Sequence, residues 1–174
     1  MCPPTHLQNA SMVTSAFHPL QTLAARGSIQ AMKLNSVSAN RHIFDGRVNG
    51  KPLRLLLTFD SNRALRLQVA GDGERMIADD GPLDAPFDMA EYGETDVADV
   101  THSLFPELRD LEVTDVQALE WSGRHVGVKL NAAAGGPFHF WVDGDELYWG
   151  DEAALVGHGW LDGVAPRASA RINV

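Results

Sequence analysis

A chain of 174 residues, 44% hydrophobic and 21% charged, has the size and balance of one globular domain and buries about 70% of its unfolded surface without covalent staples. Its single cysteine, Cys2, excludes an internal disulfide, and its longest strongly apolar run, Leu55-Leu56-Leu57, falls far short of a membrane span. The net charge of −9 comes without any cluster of Lys and Arg, which disfavours nucleic acid as a direct partner.

Residues 1–35 read as a loosely ordered segment. MCPPTHLQNA has neither a basic residue nor a following apolar block, so no secretory leader is expected and the cytoplasm is the expected compartment. Met32-Lys33 is a candidate internal start. His18 to Gly27 is predicted as a short helix, with Pro19 in its first turn and Gly27 at its C-terminal cap. Cys2 is expected to be an exposed terminal thiol.

Residues 36–156 read as an antiparallel β domain. Leu53, Leu55, Leu57 and Phe59 alternate with Arg54, Leu56 and Thr58. Leu65, Leu67 and Val69 do the same around Arg66 and Gln68. Val126, Val128 and Leu130 form a third such run, and Phe138, Phe140 and Val142 a fourth. Period-two alternation turns one set of side chains to a core. Asn49-Gly50 is the strongest hairpin signal, because a type I′ turn needs positive φ at both central residues. Asp60-Ser61-Asn62, Gly71-Asp72-Gly73, Ser122-Gly123, Gly135-Gly136-Pro137 and Asp143-Gly144 supply further turns. Asp84-Ala85-Pro86-Phe87 is predicted to open a helical turn, with Asp84 as its cap. The predicted fold is therefore mostly β: an antiparallel meander forming a sandwich or partly open barrel, with a short N-terminal helix and one or two helical turns. Residues 157–174 are expected to be a C-terminal tail.

A shift of 71 positions superposes Leu55, Leu57 and Phe59 on Val126, Val128 and Leu130, and Leu67 and Val69 on Phe138 and Phe140. Both stretches read as strand, turn, strand, turn and acidic strand. The agreement of core phase has physical weight, since a one-residue slip would invert every face.

Charge is distributed unevenly. Residues 1–71 carry +6, residues 72–120 carry −13 and residues 121–174 carry −2. Ten carboxylates crowd the middle stretch: Asp72, Glu74, Asp79, Asp80, Asp84, Asp88, Glu91, Glu94, Asp96 and Asp99. Such a segment is a solvated face, an interface for a basic partner, or a surface neutralised by the chain's own first third.

Signatures of catalysis are missing. There is no nucleophile elbow, phosphate loop or His-Glu-x-x-His helix. Asp143-Gly144-Asp145-Glu146 resembles the start of a calcium loop, but Tyr148 and Ala154 stand where an EF-hand needs glycine and glutamate. No metal site and no cofactor are expected. His125 and His139 are predicted to face outward on adjacent strands. Trp121, Trp141, Trp149 and Trp160 all come late. Trp141, out of phase with Phe138 and Phe140, belongs either to a second buried layer or to a contact surface.

At Glu91-Tyr92-Gly93 and Gly144-Asp145-Glu146-Leu147, set among short strands, the chain resembles small acidic bacterial proteins of the toxin-immunity type. The resemblance spans residues 40–155 and implies a non-catalytic protein that binds and blocks a cognate toxin. The leading expectation is a binding protein that holds a basic protein partner through the ten middle carboxylates and has no membrane association. A small-molecule-binding β-barrel is the alternative, with Trp141, Trp149, Phe138 and Phe140 lining its pocket. An enzyme whose site is assembled from distant loops is a further alternative.

Overall fold

Hairpins set most of the architecture in a computed structural model that describes residues 31–174 apart from residue 162, with residue 61 described in its backbone alone. The helix expected over residues 18–27 lies outside the described residues. In the first half, β1 (Met32–Phe44), β2 (Arg47–Phe59), β3 (Ala64–Val69) and β4 (Met76–Asp79) follow one another as an antiparallel meander. The chain then runs through β5 (Phe87–Asp88) to β6 (Glu94–Asp99), which returns to pair with β1. A short helix, α1 (Thr101–Leu104), leads into the second half. There β7 (Glu112–Trp121), β8 (Arg124–Ala132), β9 (Phe138–Asp143) and β10 (Glu146–Gly150) make a second meander. After α2 (Glu152–Val156), β11 (Arg167–Arg171) returns to β7. The eleven strands of the described residues join in one antiparallel sheet, which does not close into a barrel.

The alternating runs behave as their pattern requires. Leu55, Leu57, Phe59, Leu65, Leu67, Val126, Val128, Leu130, Phe138 and Phe140 are all buried in one continuous core. Each such side chain contributes about 1.5–3 kcal/mol through the apolar surface it removes from water. Leu53 departs from the pattern and is exposed. It lies where the β1–β2 register slips, between Asn40↔Arg54 and His42↔Asn49.

Two local expectations are corrected. The β1–β2 turn falls at Asp45-Gly46, with φ of 50° and 68°, rather than at Asn49-Gly50. Asn49 pairs with His42 inside the hairpin, and Gly50, with φ of 74°, belongs to the register slip. Both dipeptides satisfy the chemistry of a tight turn, so the choice falls to the flanking pairs Phe44↔Arg47 and Ile43↔Val48. Asp84-Ala85-Pro86-Phe87 forms no helical turn. Phe87 opens β5, the Asp84 backbone N–H donates to Asn40 Oδ1, and its carboxylate pairs with Arg54.

The two halves are built alike. Leu55↔Leu67 and Leu57↔Leu65 in β2–β3 correspond to Val128↔Phe140 and Leu130↔Phe138 in β8–β9, an offset of 73. Val37↔Leu57 likewise corresponds to Val116↔Leu130. Val69↔Met76 corresponds to Val142↔Leu147, with β4 and β10 offset by 71. The returning strands follow suit, Arg41↔Asp96 in β1–β6 matching Glu120↔Arg167 in β7–β11. Across the centre β1 and β7 pair with each other at Met32↔Val113, and the Leu34 N–H donates to the Leu111 carbonyl at 2.9 Å. The repeat is thus real at the level of strand pairing. In β2 and β3 its offset is two residues longer than the sequence pattern suggests, a slip that leaves core phase intact.

Candidate functional site

The ten middle carboxylates do not form one free face. Five are paired with the chain's own arginines: Asp72 with Arg75, Glu74 with Arg124, Asp79 with Arg66, Asp84 with Arg54 and Asp96 with Arg41. Three of these arginines come from the basic first third. Register explains this, since β1, β2 and β3 lie beside the strands and connections that carry the acids. Arg41 Nε donates to Asp96 Oδ1 at 2.9 Å and Arg66 Nε to Asp79 Oδ1 at 2.8 Å, each beside a second bond from the same guanidinium. These two-pronged contacts hold Asp79 and Asp96 below the usual carboxylate range. Two further acids serve the backbone. Asp88 accepts from the Ala90 N–H and Asp99 from the Thr101 N–H, each at 2.8 Å.

What remains uncompensated gathers mainly at the tip of the β1–β2 hairpin. Asp45, Asp88 and Glu94 surround one shallow depression of about 240 Å³, with Ala90 and Gly93 in its wall. Glu91 stands beside Ala90 in the turn that links β5 to β6. Among the described residues none of these four carboxylates has an ion-pair partner, and Arg47 is the nearby cation across the turn. The same end of the molecule exposes Phe87 (66%), Tyr92 (68%), Val48 (52%) and Phe44 (45%). The His42 ring nitrogen Nε2 lies 2.7 Å from the Tyr92 carbonyl, tying the β5–β6 turn to β1. Gly93, with φ of 92°, completes this junction, because a Cβ there would collide with the Ile43 carbonyl. Asp80 stands apart from the tip, next to the Arg66–Asp79 pair.

The four aromatics of the alternative reading do not line a common pocket. Phe138 and Phe140 are in edge contact within the main core, and Phe105 packs against both Phe140 and Trp149. Trp141 is buried on the opposite face of β9, stacked 6.0 Å from Tyr148, with the His158 ring against its edge. It therefore belongs to a second buried layer. His139 is buried beside it rather than exposed. It pairs in register with Lys129, so His125 and His139 do not stand opposite each other. β9 is covered on both faces because α2 and the segment up to Trp160 fold back across it.

Sequence reading missed two arrangements. One is the exposed Phe87 and Tyr92 beside the free carboxylates, signalled only as apolar letters in an acidic stretch. The other is a cavity walled by Trp121 and Trp160, residues 39 positions apart that no local pattern links. Among the described residues no helix is long and apolar enough to cross a membrane. Compared with known proteins, the chain matches no family model, no curated protein and no solved structure.

Proposed function

We propose that this protein is a non-catalytic binding protein that docks a basic protein partner on the tip of the β1–β2 hairpin, as an inhibitor of the immunity type would. The observation that carries this reading is the mixture at the tip: among the described residues Asp45, Asp88, Glu91 and Glu94 pair with no cation, and Phe87 and Tyr92 stand exposed beside them. Apolar groups supply contact area that area-driven binding needs, and unpaired acids supply charge complementarity and a faster encounter. The carboxylates from Asp72 to Asp84 contribute less, because Arg75, Arg124, Arg66 and Arg54 already neutralise four of them.

An NMR titration with an Arg- and Leu-rich peptide as the probe tests the reading. Amide shifts are expected to cluster at residues 44–48 and 87–95, and to shrink as salt approaches about 1 M, where the Debye length is about 3 Å. The combined change Asp88→Asn, Glu91→Gln and Glu94→Gln is expected to weaken binding by about tenfold or more. Shifts centred on residues 72–84, or binding indifferent to the triple change, would remove the proposal.

A further inference from the structure

A cavity of about 420 Å³ opens at the far end of the second half, where the β7–β8 turn, the β9–β10 turn and the segment after α2 converge. Its size lies within the range of small-molecule sites, roughly 300–1,000 Å³. Trp121, Trp160, Val126 and Val142 form its apolar wall. The two indoles meet at 46° with centroids 5.6 Å apart, making a corner. Trp160 is fixed in place because its Nε1–H donates to the Leu155 carbonyl at 2.8 Å. Its indole N–H is thus spent inside the protein.

The charges around this corner are unequal. Arg124 and Glu74 both line the cavity, and they are paired with each other. Asp143 lines it too, and its partner is the His158 imidazole at 3.0 Å rather than an arginine or lysine. His158 in turn packs against Trp160, with ring centroids 5.2 Å apart. Among the described residues, the cavity therefore combines two indoles with one carboxylate, that of Asp143, which pairs with no arginine or lysine. Indole faces attract cations through their quadrupole, and more strongly where water is excluded. The chain's net charge of −9 also raises the local concentration of small cations.

We infer that the Trp121–Trp160 cavity binds a small organic cation of the alkylammonium class, with its charge held between the indole corner and the Asp143 carboxylate. Leu161, 95% exposed at the mouth, gives the alkyl part of such a ligand a surface to cover. This site, built mainly from the second half with Glu74 at its edge, shares no residue with the depression at the hairpin tip, so each proposal stands or falls alone.

Choline and its uncharged isostere 3,3-dimethylbutan-1-ol are the probes, followed by tryptophan fluorescence and calorimetry on the full chain. Choline is expected to bind with a Kd on the order of 1 mM, and the isostere at least about tenfold more weakly. Asp143→Asn, at an exposed position, is expected to cut choline affinity by about tenfold and to narrow that preference without abolishing it, since the indole corner remains. Trp121→Leu is expected to lose choline binding, with circular dichroism confirming that it is folded. Equal binding of choline and isostere, no binding of either, or a choline affinity unchanged by Asp143→Asn would each overturn the inference.

Discussion

His139 is 1% exposed on β9, with Nε2 3.2 Å from Glu152 and Nδ1 without any hydrogen-bond partner. Burial disfavours its charged form and lowers its pKa below 6.5, while Glu152 opposes this and Lys129 adds to it. A depressed folded value means that the unfolded chain takes up the proton first. Protonation of His139 therefore adds no penalty above about pH 6.5 and destabilises the fold progressively as pH falls below it. His139→Leu is expected to flatten the loss of stability in urea melts between about pH 6.5 and pH 5. It is also expected to be neutral or stabilising at higher pH, since the unpaired Nδ1 disappears. An unchanged pH profile would show that another group governs this range. None of this was visible in the sequence. His-Phe-Trp alternation marks His139 as outward, and outward means solvent only when nothing folds over that face. The cover comes from α2, which begins thirteen residues later.

At the scale of elements, legibility tracked regularity. β2, β3, β8 and β9 alternate cleanly and their core faces could be read directly. β7 buries Val113, Val116 and Leu119, a spacing of three. A break in its pairing with β8 between Val113 and Asp115 accounts for the first step. Leu119, opposite Gly127 in unbroken register, instead faces the Trp141 side of the sheet. β1 is broken in the same way between Leu34 and Ser36. Bulges insert residues that period-two reading cannot accommodate, so the two central strands were the hardest to see. Close approach between elements is equally silent in sequence. Gly127 faces Trp141 across β8–β9, and a Cβ there would collide with the Phe140 carbonyl. Gly123, in the β7–β8 turn, has open space around it and a φ of 75°. Gly123→Ala is expected to cost about 1–2 kcal/mol, the usual strain of a left-handed residue. Gly127→Ala is expected to cost more, about 3 kcal/mol, because backbone must move. Chemical denaturation that ranks the two the other way would contradict the β8–β9 spacing.

Considered whole, the molecule is two similar halves holding one core, with β1 and β7 paired at the centre. Ion pairs cross between the halves in matching places: Arg124 of β8 reaches Glu74, and Lys51 of β2 reaches Glu146 at 3.0 Å. Lys51 also lies over the Tyr148 ring. All four tryptophans sit in the second half, so fluorescence reports that half while far-ultraviolet circular dichroism reports both. A shared core predicts coincident unfolding curves from the two probes. Separate midpoints would mean that the halves melt independently. The candidate tip was only half legible at this scale: the surplus of acid was plain in composition, but which acids stay free depends on arginines delivered by neighbouring strands. Likeness between the halves also carries a hazard, since each returning strand finds a near-copy of its proper berth. The chain carries an address label against that error. Arg41 faces Asp96, whereas the equivalent rung pairs Glu120 with Arg167, the signs reversed. Were β6 to settle on β7, Asp96 would meet Glu120, and β11 on β1 would set Arg167 against Arg41. Misdocking therefore meets repulsion at both ends of the exchange, and the polypeptide sorts its own strands by sign.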